Sequence, residues 1–169
     1  MRNVSRRNVL KVGTASAISV AATGAAHSEE VRPIAEQADP SITPLLAYFG
    51  DAEKAMNRYV SLFENSEIVE VQRYGRGEVG DEGTIKIADF HLNGHRMRCI
   101  DAPGKHDWTF TPAVSLYIES SKEEELAKYY EELSKNGKVL MPLDTYPWSK
   151  KFAWVEDEFG VSWQLNLSN

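Results

Sequence analysis

The chain contains few of the features that staple a small protein, anchor it in a membrane or attract it to nucleic acid. Its single cysteine, Cys99, excludes a disulfide within the chain. Its longest apolar run falls short of the roughly 20 residues that a membrane-spanning helix needs. Lysine and arginine number 19 against 25 aspartates and glutamates, and beyond the N-terminus no basic cluster interrupts this acidic balance. We therefore predict a disulfide-free domain that binds neither nucleic acid nor an anionic membrane surface.

The N-terminus has the three parts of an export signal in their usual order. Arg6 and Arg7 precede a mildly apolar stretch over residues 12–22, and small residues follow up to Ala26. Paired arginines in this position resemble a twin-arginine signal; the alternative is a basic, disordered terminus. We predict a signal peptide over residues 1–26 and export by the twin-arginine machinery to the periplasm or beyond. Cleavage removes four basic residues and no acidic ones, so the formal charge falls from −6 to about −10.

The rest of the chain divides into a short linker and one domain. Residues 27–40 are polar and interrupted by prolines, which predicts a disordered linker. Residues 41–169 are enough for one compact core and too few for two. Cys99 lies in an apolar strand pattern, which indicates a buried small hydrophobic residue and not a nucleophile.

An internal repeat organises the domain. A strand, an amphipathic helix and three further strands occur twice, in modules 42–101 and 113–168. A shift of 71 residues superposes the halves and lays Leu46 on Tyr117, and Gly137 is expected to cap the second helix. The predicted fold class is α+β, with two tandem βαβββ modules whose sheets curve around a shared cavity. The predicted elements are strands 42–49, 67–74, 83–92 and 95–101 with helix 52–63, then strands 114–118, 138–141, 151–156 and 161–167 with helix 122–135.

Five segments together carry a family resemblance. They are Ile42-Thr43-Pro44-Leu45-Leu46, Tyr59–Ser66, Arg73-Tyr74-Gly75, Phe90–Gly94 and the tail Trp154–Gln164. The combination resembles the PhnB-like branch of the vicinal-oxygen-chelate superfamily, to which the glyoxalase and bleomycin-resistance proteins belong. This resemblance covers nearly everything after Ser41 and implies the paired-module fold. The branch is sometimes named as a demethylubiquinone methyltransferase. We reject that activity, because no glycine-rich loop leads from a strand into a helix as a nucleotide-like cofactor requires.

The resemblance also implies where a metal ion would bind. Metalloenzymes of the superfamily place His, Gln or Glu ligands on the first and last strands of each module. Those positions fall on Pro44, Arg98, Ser115 (or Ala113 in a shifted register) and Gln164. Gln164 is the single usable ligand, since Arg98 is a permanent cation. We predict no metal site and no cofactor, with a divalent metal as the alternative.

Alternation along the strands predicts a pocket for a small molecule, because polar groups fall among aromatic ones. Arg98 binds an anionic group of the ligand or forms an internal salt bridge to Glu119 or Asp101. Trp148, in a predicted loop over residues 142–150, covers the pocket as a lid or lies in a dimer interface. Trp154 is assigned to the core. The predicted ligand-binding residues are Tyr48, Arg98, Ser115, Tyr117, Gln164 and Trp148.

Two classes of function fit this pocket. The first is a metal-free protein that binds a small apolar or weakly acidic molecule outside the cytoplasm. The second is an enzyme of lyase, isomerase or dioxygenase type that acts on a small oxygenated substrate. It would use a divalent metal on unconventional ligands, or acid–base catalysis by Glu119 or His106. In either case we expect a homodimer that covers the free edges of the sheets.

Overall fold

The computed structural model describes residues 40–168. The predicted signal peptide over residues 1–26 and the linker up to residue 39 lie outside this part of the chain. None of the helices it describes is long and apolar enough to cross a membrane.

Eight strands and two helices form two modules of identical order within residues 40–168. The first sheet has the strand order β1-β4-β3-β2 and the second has the order β5-β8-β7-β6, so each module pairs its first strand with its last. The structure confirms the α+β class and the tandem βαβββ arrangement. The elements are β1 Leu45–Tyr48, α1 Ala52–Leu62, β2 Glu67–Arg73, β3 Ile85–Leu92 and β4 His95–Asp101, then β5 Leu116–Ser120, α2 Glu123–Ser134, β6 Lys138–Tyr146, β7 Ser149–Glu156 and β8 Ser162–Leu167.

Helix α1 begins where a distant carboxylate takes over the free N–H groups of its first turn. Asp51 makes no side-chain capping bond. Instead the Oδ1 atom of Asp101 accepts the backbone N–H groups of Gly50 at 2.7 Å and Ala52 at 3.0 Å. A buried carboxylate at this place accepts hydrogen bonds from N–H groups that the helix cannot pair internally. Its negative charge also interacts favourably with the positive end of the helix dipole. The end of β4 therefore fixes where the helix starts.

The end of α2 differs from the prediction that Gly137 caps it. The helix stops at Ser134, and Asn136 takes the left-handed conformation with φ of 58°. Asparagine tolerates this conformation better than most residues. Gly137 is required for space, because a Cβ atom there would lie 2.2 Å from the carbonyl oxygen of Glu156.

The prediction of a loop over residues 142–150 is wrong. Strands β6 and β7 extend through most of it and form a long hairpin whose turn is Pro147-Trp148. Tyr146 pairs with Ser149 across that turn. The strand pattern of β6 was not recognised in the sequence, because β6 contains Pro142 and several polar residues and its pairing with β7 has several register shifts. Trp148 therefore lies at the tip of a hairpin and not in a long flexible loop.

The two modules are joined by aromatic side chains and one buried carboxylate. Tyr59 of α1 contacts Trp163 of β8 with ring centroids 5.1 Å apart, and Phe63 contacts both Trp163 and Tyr129 at 5.5 and 4.9 Å. The Tyr59 hydroxyl donates to Asp157 at 2.6 Å. We call this group of Tyr59, Phe63, Tyr129, Asp157 and Trp163 the inter-module cluster. It fixes the first module to the second through the side of α1.

Candidate functional site

Each sheet packs one face against helices and leaves the other face, here called the open face, partly exposed. In the first sheet Arg98 lies directly across from Leu45, whose surface is half exposed. Their neighbours Leu46 and Cys99 point the other way and are buried. Burial raises the pKa of the Cys99 thiol to about 12, which agrees with an inert core cysteine.

Tyr48 does not join the other predicted ligand-binding residues. It is buried on the helix-packed side, where its ring contacts Phe110 and Phe159. The shift of 71 residues that superposed Leu46 on Tyr117 caused the misplacement. Leu46 faces the core, whereas Tyr117 is mostly exposed on the open face. An error of one residue reverses the face of every side chain in a strand.

Arg98 is held in place on the open face by Asp89 of the adjacent strand. Its Nε and Nη2 atoms donate to the two carboxylate oxygens of Asp89 at 2.7 and 2.8 Å. Arg96 donates to the same carboxylate at 2.8 Å. The prediction named Glu119 or Asp101 as the internal partner of Arg98. The partner is Asp89 instead, because Asp89 and Arg98 lie opposite each other in the β3–β4 ladder. Two guanidinium groups share this carboxylate, and Glu70, which lies across from Asp89 in β2, adds a second negative charge near Arg98.

The charge pair shifts the titration of its carboxyl group. The hydrogen bond from Arg98 lowers the pKa of Asp89 to about 2, with Arg96 adding to the effect. Asp89 therefore stays ionised at neutral pH and keeps the Arg98 fork oriented. A third of the Arg98 side chain remains accessible to solvent, so a ligand can reach it.

The open face of the second sheet carries a group of linked polar side chains. The Ser115 hydroxyl lies 2.8 Å from that of Ser162 and accepts the Gln164 side-chain amide at 3.2 Å. The indole N–H of Trp154 donates to Ser162 at 2.9 Å. Trp154 is only partly buried, so its assignment to the core misses this polar role. The structure brings Ser115 and Gln164 together on the second sheet, whereas Arg98 lies on the first.

Tyr117 and Glu119 extend this face along β5. Tyr117 lies across from Gln164, and Glu119 lies across from Asn166. The Asn166 amide donates to Glu119 at 3.3 Å, while its carbonyl oxygen accepts the Ser149 hydroxyl at 2.7 Å. Partial burial and the neighbouring Glu119 raise the pKa of Tyr117, so its hydroxyl is protonated at neutral pH.

Trp148 stacks on Tyr146 at the tip of the β6–β7 hairpin. Their ring centroids are 5.3 Å apart and nearly parallel, and both rings lie against Phe152. Two thirds of the Trp148 surface is exposed. The tip frames a shallow depression lined by residues 145–150.

His106 lies apart from these groups, in the connection between the modules. Its ring packs against Phe49 and Trp108 with centroid distances of 5.6 and 4.8 Å. Its Nε2 atom lies 2.9 Å from the carbonyl oxygen of Pro103. The ring nitrogen that makes a contact therefore faces the backbone and not the adjacent Asp107, so the His–Asp arrangement of a general base is not formed.

The side chains at the positions where the resemblance implies metal ligands do not fit a divalent ion. Pro44 carries the same one-residue error as Tyr48: Leu45 pairs with Arg98 as Tyr117 pairs with Gln164, so the counterpart of Ser115 is Thr43. The Arg98 guanidinium is a fixed cation, which does not ligate a metal. Ser115 and Gln164 are hydrogen-bonded to each other. Across residues 40–168 no group of three or more His, Cys, Asp or Glu side chains is arranged to hold a metal.

A Gly-x-Gly-x-x-Gly stretch does occur, but in a place where it cannot cradle a phosphate. Gly75 to Gly80 connects β2 to β3, so no helix follows it. A Cβ atom on Gly80 would lie 2.4 Å from the ring of Tyr74. That glycine is required for packing, and the loop lacks the helix N-terminus on which dinucleotide sites depend.

Comparison with known proteins places this architecture in a family. Residues 40–166 match the family model described as 3-demethylubiquinone-9 3-methyltransferase. A solved structure from Bacillus cereus, described as a putative 3-demethylubiquinone-9 3-methyltransferase, PhnB protein, is 50% identical with a TM-score of 0.74. The match covers 75% of this chain and 98% of that one. Protein YjdN of Escherichia coli (strain K12) is 34% identical over 85 residues, which is 49% of this chain and 56% of YjdN. This chain therefore matches little more than half of YjdN.

More distant structures share the fold alone. Protein PA1353 from Pseudomonas aeruginosa is 22% identical with a TM-score of 0.66, covering 74% of this chain and 95% of that one. The fosfomycin resistance protein FosX from Listeria monocytogenes, solved with Mn(II), is 11% identical with a TM-score of 0.52, covering 75% and 90%.

Proposed function

We propose that this chain, which belongs to the PhnB-like family whose model is described as 3-demethylubiquinone-9 3-methyltransferase, is exported and binds a small organic molecule without a metal. The groups that would bind this molecule lie on the open faces of its two sheets. The observation that carries this proposal is the Arg98 guanidinium. It is oriented by Asp89 on a sheet face where a third of its side chain is accessible to solvent. Asp89 takes the Nε–Nη2 side of the guanidinium, and the remaining donors on Nη1 and Nη2 suit a carboxylate, phosphate or phosphonate group.

The second sheet supports the same proposal with groups of a different kind. Ser115 and Gln164 provide hydrogen bonds, and Tyr117 provides an exposed aromatic surface beside them. Trp148 adds a further accessible ring. Binding sites for small molecules combine apolar surface with a few oriented polar groups in this way.

We further propose that the protein is a homodimer. Strands β1 and β5 are edge strands in the two sheets. Exposed apolar side chains lie in or beside them: Leu45 and Phe49 at β1, and Val114 and Tyr117 at β5. Free edges flanked by apolar side chains are the surfaces that oligomers cover, and a second copy would also shelter the open faces.

Native mass spectrometry of protein purified from the exported fraction tests the function and the assembly together. We expect a dimer at micromolar concentration, no transition metal in stoichiometric amount, and added carboxylate ligands retained as intact complexes. Metal-free binding is expected because Arg98 is a permanent cation and because Ser115 and Gln164 are hydrogen-bonded to each other. About one zinc, iron or manganese per chain, lost in Gln164→Ala, would refute the proposal, and a monomer would refute the dimer alone.

Export is proposed to depend on the paired arginines. Conservative replacement of Arg6 and Arg7 by lysine keeps the charge but alters the twin-arginine pattern, so we expect the protein to remain in the cytoplasm with its fold unchanged. Intact-mass measurement on cell fractions checks this, and the exported wild-type protein is expected to begin at His27. A replacement of Lys11 by arginine is the control and should be exported normally. Export of the lysine variant at wild-type levels would contradict the proposal.

A further inference from the structure

The hydroxyl of Ser115 is the end of a hydrogen-bonded chain that begins at an indole ring. Trp154 donates its Nε1–H to Ser162, and the Ser162 and Ser115 oxygens are 2.8 Å apart. Gln164 donates to Ser115 from its amide nitrogen at 3.2 Å. The distance between the two serines does not itself say which of them donates, because a hydroxyl is both a donor and an acceptor.

Burial determines the direction of that bond. Ser162 is 2% exposed, so a Ser162 hydrogen without an acceptor would be desolvated and unpaired, at a large cost in free energy. Ser115 is only partly buried and borders the open face. Ser162 therefore donates to Ser115. The two lone pairs of Ser115 are then taken by Ser162 and Gln164, and its own hydrogen is left to point to a group on the open face.

We propose that Ser115 is a ligand-binding donor that accepts no hydrogen bond from the ligand, and that Trp154 and Ser162 are positioning residues that impose this polarity. The proposal rests on the small-molecule function given above and names the chemistry of the ligand. The ligand presents an acceptor oxygen, as in a carboxylate or a ketone, next to a planar apolar part that lies on the exposed ring of Tyr117. Each donor in the chain polarises the next, so an acceptor bound at Ser115 strengthens the bond from Trp154.

Titration of the full-length mature protein with benzoate, followed by the indole N–H signals in ¹⁵N–¹H spectra, tests this inference. Benzoate has a carboxylate acceptor and a planar ring, and Trp154→Phe identifies the Trp154 signal. In the wild-type protein we expect that signal to shift on binding. In Ser115→Ala we expect benzoate to bind about tenfold more weakly or worse than in the wild type, because a hydrogen bond to a charged group is lost. We also expect no shift of the Trp154 signal in this variant.

Two controls separate this role from a structural one. Ser134→Ala removes a serine hydroxyl from helix α2, one that bonds to the carbonyl oxygen of Glu131 and lies outside the open faces, and it should bind benzoate as the wild type does. Benzylamine has a similar size but carries hydrogen-bond donors in place of acceptors, so its affinity should be the same for the wild type and Ser115→Ala. Folding of each variant is checked by its melting temperature.

The outcomes distinguish this inference from the function on which it rests. Benzoate that binds the wild type and Ser115→Ala equally overturns the role of Ser115 and leaves small-molecule binding intact. If Ser115→Ala lowers the affinity for benzoate and for benzylamine equally, the proposed role of Ser115 is also overturned, since Ser115 would then not distinguish an acceptor from a donor. If no carboxylate binds the wild-type protein, the proposed function and this inference both fail.

Discussion

Replacement of Asp157 by alanine is expected to lower the free energy of unfolding by about 3–5 kcal/mol, the largest loss from any single change that we predict here. The carboxylate accepts four hydrogen bonds at a site that is 4% exposed. Its Oδ2 atom receives the Tyr59 hydroxyl at 2.6 Å and the Trp163 indole N–H at 2.8 Å. Its Oδ1 atom receives the backbone N–H groups of Phe159 and Val161 at 2.9 and 3.0 Å. Alanine leaves all four donors without this acceptor, three of them in the buried interior and that of Phe159 in a partly buried position.

The same carboxylate joins the modules, so the variant should also lose cooperativity between them. Denaturant unfolding followed by tryptophan fluorescence and by circular dichroism measures both effects. Asp144→Ala is the control: that aspartate is exposed and bonds only to the backbone of the next residue, and its removal should change stability by less than about 0.5 kcal/mol. A loss below about 1 kcal/mol in Asp157→Ala would contradict the role of the inter-module cluster.

Asp157→Asn separates hydrogen bonding from side-chain volume. An asparagine keeps one acceptor oxygen for the two backbone N–H groups but turns an NH₂ group toward Tyr59 and Trp163. The tyrosine hydroxyl can accept from that group, whereas the indole N–H cannot. We therefore expect a loss between that of the control and that of alanine, because the Trp163 indole N–H and the Tyr59 hydroxyl hydrogen lose their acceptor while the two backbone N–H groups keep theirs.

The fold could be predicted from the sequence because its signals are local and repeated. Helix α1 has apolar residues at helical spacing, and β4 was predicted with the bounds that it has in the structure, His95–Asp101. Both strands of the β6–β7 hairpin were predicted too short, because β6 carries Pro142 and Asp144 and because register shifts weaken the alternation. Periodicity identifies regular strands and is a poor guide to distorted ones.

The site was predicted less completely, since its geometry depends on which residues lie opposite each other. The sequence places Asp89 nine residues from Arg98 without showing that β3 and β4 bring them together. Pairing β1 with β4 puts Leu45 beside Arg98, and this in turn buries Tyr48 on the other face. Alternation also placed Ser162 on the same face as Gln164, but Trp154 was assigned to the core because the sequence does not show that it reaches Ser162. An alternating pattern indicates that two faces exist but does not give the register of one strand against the next.

Arg98→Met is expected to reduce stability by an amount that depends on pH. The pKa of Asp89 is lowered from an ordinary value of 3.8 to about 2, chiefly by the hydrogen bond from Arg98. A carboxyl group with a lowered pKa stabilises the fold fully above its unfolded pKa, and that contribution disappears as the pH falls through the folded pKa. The variant should therefore be less stable than the wild type at pH 7, and the difference should shrink between about pH 4 and pH 2. At pH 7 we expect about 1 kcal/mol, because Arg96 still pairs with Asp89 and Arg98 is one third exposed.

The larger effect of Arg98→Met is expected on ligand affinity. Methionine keeps an unbranched apolar stem but removes the charge and the planar fork, so carboxylate and phosphonate ligands should bind roughly ten- to a hundredfold more weakly. Calorimetric titration below the melting temperature of both proteins separates this from the loss of stability. Arg73→Met is the matched control, since Arg73 also pairs with a carboxylate, that of Glu53, at an exposed position. A lower melting temperature with unchanged affinity in Arg98→Met would reduce Arg98 to a structural partner of Asp89 and would refute its role in binding.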